Sequence, residues 1–234
     1  MWKVRFFGLS NDSFDFLNEL TEDTFSIKNV EHKGSSFTEY YLHLENHDEE
    51  DATKILEKAE IELQVYSSLL KLNNLKCEIK VDFPCKVHDD GTETVFMSFF
   101  DTICITDEAF AVTNDEIIID AQKQKIDSYK VILQNAFAKE INKELIILLG
   151  KEINWINAYK IYEILKTHFI AENELKKDST LKYFAHSANS PKAIGVGEAR
   201  HAIQRTENPK QIADLKQAHK KMVDLSLKFI KDNA

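Results

Sequence analysis

The sequence has few cysteines and no long apolar run, and each shortage excludes a class of protein. Its three cysteines, Cys77, Cys85 and Cys104, are an odd number without CxxC spacing, which argues against a disulfide framework and a zinc site. The most apolar stretch, residues 145–149, has charged neighbours and is far shorter than the roughly 20 residues that span a bilayer. The N-terminal residues lack a signal-peptide cleavage pattern, so we expect a cytoplasmic protein with core thiols and no membrane segment.

Glycine and proline are also scarce, and neither occurs between Asp120 and Gly150. In the same region the spacing of apolar residues changes from two to about 3.6. The change predicts two domains, a strand-rich α+β domain over residues 1–119 and an all-helical bundle over residues 120–234.

The first domain is predicted to be an antiparallel sheet with one long helix, which gives an α+β fold class. Apolar residues alternate with charged ones in the first strand, Trp2 to Phe6, and again from Leu75 to Phe83, where Pro84 should end the strand. Residues 8–13 are predicted to be a turn, and Asp89-Asp90-Gly91 a hairpin turn. Further strands are expected near residues 25–30, 38–44, 94–100, 103–106, 109–113 and 117–119, and the helix over residues 52–70.

The second domain is predicted to contain helices joined by short loops. One apolar stripe from Tyr129 to Leu148 predicts a first helix closed by Gly150, and Asn154 is expected to open a second. Residues 172–186 are a candidate third helix. After a loop over residues 190–197, Pro209 is expected in the first turn of a final helix whose apolar face includes Ile212, Leu215, Met222, Leu225 and Phe229.

Charge is distributed unevenly along the chain. The net charge is −9, but residues 191–234 hold nine lysines and arginines against five aspartates and glutamates. The remaining residues hold 21 against 34. An acidic protein is not suited to broad nucleic-acid binding, so any anion-binding surface should lie near the C-terminus.

Five polar residues of the helical domain are hard to explain as surface. Glu163 lies on nearly the same helical face as Trp155 and Tyr159, so its carboxylate needs a partner. Arg200 is the predicted partner, in a partly buried ion pair. That pair could simply hold the last loop on the bundle, or it could belong to a functional site. The five residues are Glu163, His186, Asn189, Arg200 and His201.

The segment Arg200-His201-Ala202-Ile203-Gln204-Arg205, within a helical bundle, resembles the HEPN superfamily. That family consists of small dimeric bundles with an Arg-polar-x-x-x-His motif and includes metal-independent ribonucleases of defence and toxin systems. The arginine and the polar residue match, whereas Arg205 stands where the family has its catalytic histidine. Residues 155–163 and 184–201 also resemble the tails of uncharacterised bacterial proteins.

The resemblance implies a dimer and two alternative activities. In a ribonuclease, Arg200 would stabilise the phosphate charge, and His201 or His186 would replace the missing base, with Glu163 in the same cleft. In a protein that binds RNA without cleaving it, Arg205 would make a second phosphate contact, with His186 and Asn189 as further binding candidates. A histidine of this kind is nevertheless more often a structural residue.

Two hypotheses therefore follow from the sequence. The first is an interaction or RNA-binding protein whose acidic first domain engages a protein or small ligand and whose bundle dimerises, within a defence or toxin-type system. The alternative is a metal-independent endoribonuclease. We expect no cofactor and no metal, because Glu163 and His168 are five residues apart and Gly195-Val196-Gly197 follows no strand.

Overall fold

The computed structural model describes residues 1–21, 24–32, 35–45, 47, 51–96, 119–170, 172–200 and 207–232. The fold is α+β, and the chain divides into two compact units, Met1–Lys130 (the sheet unit) and Val131–Ala234 (the helical unit). The division falls inside a helix that begins at Ile119. The strands predicted between residues 97 and 118, and Cys104, lie outside the described residues.

The sheet unit contains an antiparallel five-stranded sheet, as predicted. Its strands are β1 (Trp2–Leu9), β2 (Phe25–His32), β3 (Ser35–Leu44), β4 (Cys77–Val87) and β5 (Glu93–Val95). They lie in the order β2-β3-β1-β4-β5, so β1 is the central strand. Residues 2–6 of β1 pair with β3, and β1 pairs with β4 on its other side. The hairpin turn before β5 is confirmed by the bond from Gly91 N–H to the carbonyl of His88, 2.9 Å.

Two helices accompany this sheet, although the sequence predicted only one. The predicted helix is α2 (Ala52–Leu72), whose first turn is capped by the Asp51 side chain. The helix that was not predicted, α1 (Asn11–Thr21), begins where a turn was expected. Ser10 caps it by accepting from the Ser13 N–H at 3.2 Å, and Leu17 and Leu20 form its buried side. Residues 10–13, which were predicted to form a turn, therefore cap and begin a helix.

The core of the sheet unit lies on the face of β1 that carries Trp2, Val4 and Phe6, all buried. Aromatic rings extend this core, with Phe6 5.9 Å from Phe25 and Phe25 4.9 Å from Tyr66 of α2. The opposite face of β1 carries Lys3, Arg5 and Phe7, because successive side chains of a strand alternate.

Pro84 does not end its strand, which corrects the prediction. It lies inside β4, opposite Val4 of β1, and the pairing register shifts between Val4 and Phe6. A proline has no N–H to donate, so it is tolerated beside such an irregularity. Its carbonyl still accepts from the Phe96 N–H at 3.0 Å, so the strand continues.

The helical unit is built from consecutive helices, several of them short. They are the C-terminal part of α3 (Ile119–Ala138), α4 (Glu140–Leu149), α5 (Trp155–Ile164), α6 (Glu172–Lys177), α7 (Phe184–Ala188), α8 (Pro191–Ile194) and α9 (Leu215–Asp232). A π-helical turn, Leu165–Phe169, follows α5 directly. Asn154 caps α5 and Gly150 follows α4, both as predicted. None of the helices in the described ranges is long and apolar enough to cross a membrane.

The first predicted helix of this unit is in fact two. Lys139 has an extended backbone that separates α3 from α4. The Asn142 side chain donates at 3.0 Å to the carbonyl of Asn135, the acceptor that the Lys139 N–H would use in a continuous helix. Asn135 in turn donates to the carbonyl of Ile230 in α9 at 2.8 Å. The apolar stripe continues across the break, so periodicity alone did not reveal it.

Pro209 does not belong to the final helix, which begins six residues later at Leu215. The cap is supplied by Asp214, whose carboxylate accepts from the Gln217 N–H at 3.0 Å. Ile212 consequently lies before the helix and is exposed. The buried face of α9 is formed by Ala218, His219, Met222, Ser226 and Ile230.

Candidate functional site

Arg200 is held by contacts to two side chains of α5. Its Nη2 lies 3.1 Å from Oε1 of Glu163, and its Nη1 donates to the Tyr159 hydroxyl at 3.0 Å. The guanidinium also lies over the Tyr159 ring, with Cζ 4.6 Å from the ring centroid. The ion pair predicted from the sequence is therefore present, and an aromatic face supports it.

The two partners are spaced by one helical turn. Tyr159 and Glu163 are four residues apart, so they lie on one side of α5. The ring of Tyr159 packs against other aromatic rings. Its centroid lies 6.1 Å from that of Tyr162, and the Tyr162 centroid lies 5.7 Å from that of the buried Phe184 of α7. Tyr159 and Tyr162 of α5 thus form a packed aromatic support for the guanidinium.

The backbone of Arg200 is anchored on α7. Gly195 ends α8 with a φ of +95°, a conformation that favours glycine. The chain then turns back, and the Arg200 N–H donates to the carbonyl of Ala188 at 3.0 Å. Both the main chain and the side chain of Arg200 are therefore positioned.

The pair is partly buried, as predicted, and the rest of both side chains is open to solvent. The exposed fraction is 41% for the Arg200 side chain and 43% for that of Glu163. A desolvated pair would have been buried in the bundle, whereas this one lies at its surface. An external anion could therefore reach the guanidinium, in competition with Glu163.

The other candidate residues occupy different positions. His186 bonds through Nε2 to the carbonyl of Glu207 at 2.7 Å. Asn189 donates to the carbonyl of Ala185 at 2.7 Å, and its Oδ1 has no hydrogen-bond partner among the described residues. His201 and Arg205 lie outside the described residues. The structure thus brings together Arg200 and Glu163, and it ties His186 and Asn189 to main-chain carbonyls.

α7 also holds the segment that leads into α9. The Ser187 hydroxyl, which is buried, accepts from the Ala213 N–H at 3.0 Å. Ser187 and Ala188 are neighbours, so Arg200 and the entry to α9 are attached at adjacent residues of one short helix. This arrangement places Arg200 near the N-terminal end of α9.

A second group of charged residues, which the sequence did not indicate, lies on the sheet. Arg5 bonds through Nη1 to Oε1 of Glu39 at 2.5 Å and through Nε to Oδ2 of Asp82 at 2.7 Å. Its guanidinium also lies 3.9 Å from the centroid of Phe83. Glu39 is only 5% exposed, so the arginine neutralises a buried carboxylate. Alternation in β1 separates Arg5 from the apolar side chains of the strand, and only the strand order reveals its partners.

Two groups with raised pKa values, Tyr41 and Cys85, lie beside this second cluster. Tyr41 donates to Oε2 of Glu39 at 2.7 Å, and burial followed by this hydrogen bond raises the pKa of the tyrosine. Burial likewise raises the pKa of Cys85, so its thiol is a poor nucleophile near neutral pH. The cluster is consequently suited to fixing three strands together rather than to chemistry.

Neither site indicates a bound metal. No group of three or more histidine, cysteine, aspartate or glutamate side chains in the described part of the chain is arranged to hold an ion. Comparisons of the chain with protein-family models, with curated proteins and with solved structures found no match. The HEPN resemblance therefore rests on the segment 200–205 and its helical context, and it stays a prediction.

Proposed function

We propose that this protein binds RNA through its helical unit, with Arg200 as a phosphate contact, and that it does so without cleaving the RNA. The observation that carries the proposal is the exposed guanidinium of Arg200, which Tyr159 orients through its hydroxyl and its ring. A guanidinium has five N–H donors in a planar fork that matches a phosphate. Glu163 uses only one edge of that fork, and a phosphate oxygen can displace it.

The distribution of charge supports this choice of unit. Residues 131–234 hold 17 lysines and arginines against 12 aspartates and glutamates, whereas residues 1–130 hold 13 against 27. A polyanion is attracted to the first and repelled by the second. The acidic sheet unit is accordingly the part that we propose to engage a basic protein partner, with dimerisation through the bundle. Light scattering at micromolar concentration tests the dimer, and a monomer would contradict it.

The experiment for RNA binding compares Arg200→Gln with Glu163→Gln by fluorescence anisotropy of labelled RNA. If Arg200 contacts phosphate, Arg200→Gln weakens binding by about tenfold, which corresponds to about 1.4 kcal/mol. Glu163→Gln removes the competing carboxylate and strengthens binding. If the pair only holds the loop in place, both variants weaken binding alike or leave it unchanged, and the proposal fails.

The exposure of the pair also favours a second candidate, the metal-independent ribonuclease. An active site must be accessible, and both Arg200 and Glu163 are. Cleavage of total RNA in the presence of a chelator, with wild type compared to Arg200→Ala, decides this candidate. If the protein is a ribonuclease, wild type cleaves the RNA and Arg200→Ala does not, because Arg200 would stabilise the developing phosphate charge. Equal cleavage, or none, removes it.

A further inference from the structure

The exposed side of α9 is strongly basic. Its buried residues occupy one side of the helix, and the opposite side carries five lysines and two aspartates, Asp224 and Asp232. Four of the lysines are exposed, and Lys221 is bonded to Asp178 at 3.2 Å. We call the four exposed residues, Lys216, Lys220, Lys228 and Lys231, the α9 lysine face.

Two of the four lysines of the α9 lysine face carry charge that no residue in the described ranges neutralises. Lys220 and Lys228 form no ion pair with any residue in the described ranges, although Asp224 lies one turn from each. A surface lysine is usually only solvated, so charge alone would be weak evidence for a site. The position of the face relative to Arg200 provides the second argument.

The face begins close to Arg200. The Arg200 N–H is bonded to Ala188 and the Ala213 N–H to Ser187, and Lys216 follows Ala213 by three residues. From Lys216 to Lys231 the helix then extends about 22 Å at about 1.5 Å per residue. A nucleic-acid strand has a phosphate about every 3.4 Å of duplex axis, so several phosphates fit along this length.

The neighbouring elements add further cations beside α9. The ion pair between Asp178 and Lys221 brings the end of α6 against the helix, and Lys177 immediately precedes Asp178. The rings of Phe169 and Phe229 are 6.2 Å apart, which brings the π-helical turn containing Lys166 to the C-terminal half of α9. Both of these lysines are exposed.

We propose that the α9 lysine face is a phosphate-binding surface that continues from Arg200 and contacts the backbone of a bound RNA without reading its bases. The inference rests on the proposed RNA binding and adds the direction in which the RNA lies. Lysines at helical spacing bind phosphates as point charges, so these contacts are independent of sequence and sensitive to salt.

The test measures the affinity for an oligouridine of about 20 nucleotides between about 50 and 200 mM salt. The main variant changes Lys216, Lys220 and Lys228 to glutamine. The matched control changes three exposed lysines outside α9, Lys54, Lys76 and Lys151, and so alters the net charge equally. A third variant changes the α9 lysines to arginine and keeps the charge. Circular dichroism and thermal melting establish that each variant is folded.

Each lost phosphate contact lowers the slope of log K against log salt by about 0.7 for a single strand, so the main variant should lower it by about two. Its affinity should fall by about tenfold or more at the lowest salt, while the control and the arginine variant bind like wild type. If wild type binds and the main variant keeps its slope, or if the control loses as much, the inference is wrong and the proposed function stands. If wild type does not bind RNA, the proposed function fails and this inference fails with it.

Discussion

Tyr159 contacts Arg200 in two ways, since its hydroxyl accepts a hydrogen bond from Nη1 at 3.0 Å and its ring lies beneath the guanidinium. The two contacts have separate roles. The ring limits where the guanidinium can lie, and the hydroxyl fixes its rotation in that plane. Glu163 then binds the same guanidinium from α5, so the arginine is oriented before any ligand arrives.

Removal of the hydroxyl alone should therefore have a small effect on folding and a clear effect on binding. We expect Tyr159→Phe to lower the free energy of unfolding by about 1 kcal/mol and to weaken RNA binding less than Arg200→Gln does. Anisotropy and urea unfolding measure the two quantities. Binding by Tyr159→Phe that is as weak as that of Arg200→Gln would show that the ring does not position the arginine.

Arg5 should be essential to the stability of the sheet unit. Arg5→Leu leaves the carboxylate of Glu39 buried without its cation, which costs about 3–5 kcal/mol. Lys3→Leu is the comparison, because its partner Glu93 is 44% exposed and such a pair contributes about 0–1 kcal/mol. Urea unfolding measures both. Adding Glu39→Leu to Arg5→Leu should restore part of the loss, and a double variant no more stable than Arg5→Leu would contradict this account.

Two glycines with positive φ should respond differently to substitution by alanine. A Cβ on Gly8, at φ +95°, would lie 1.6 Å from the carbonyl oxygen of Glu78, whereas a Cβ on Gly91, at φ +80°, meets no atom within 4 Å. Gly91→Ala therefore carries only the backbone strain, about 1 kcal/mol. Gly8→Ala must also displace β4 and should cost about 2 kcal/mol more. Thermal melting compares them, and equal losses would show that β1 and β4 separate easily at this point.

His219 should make the stability of the helical unit fall in mild acid. Burial lowers its pKa in the folded protein, so the unfolded chain binds the proton more tightly. The contribution of neutral His219 to stability is therefore fully present above the pKa of the unfolded chain, about 6.5, and is lost as the pH falls below that value. Urea unfolding at two pH values on either side of 6.5 measures the loss for wild type.

The comparison variants for this prediction are His219→Gln and His168→Gln. The first should reduce the loss of stability in acid, because the titrating group is gone. The second changes an exposed histidine of the π-helical turn and should leave the loss as in wild type. An unchanged pH dependence in His219→Gln would show that other groups cause it.

The strands and helices with a strict apolar period were predictable. β1, β3, β4 and α2 follow from alternation or from spacings of three and four, since those patterns report which side of an element is buried. Their irregularities were not predictable. The break at Lys139 and the passage of β4 through Pro84 depend on a hydrogen bond from Asn142 and on a register shift against β1. Both are contacts with residues that local periodicity does not report.

The sequence by itself determined the α+β fold class and the uneven charge, because both depend on composition and apolar spacing along the chain. The spacing along α5 also indicated that Glu163 needs a partner. Only the tertiary structure decided that Arg200 pairs with Glu163 and how far this pair is exposed, that Tyr159 supports it, and that Arg5 joins Glu39 to Asp82 across three strands. The physical reason is that exposure and partnership depend on which elements are neighbours. Residues 77 positions apart, such as Arg5 and Asp82, become neighbours only through the order of strands in the sheet.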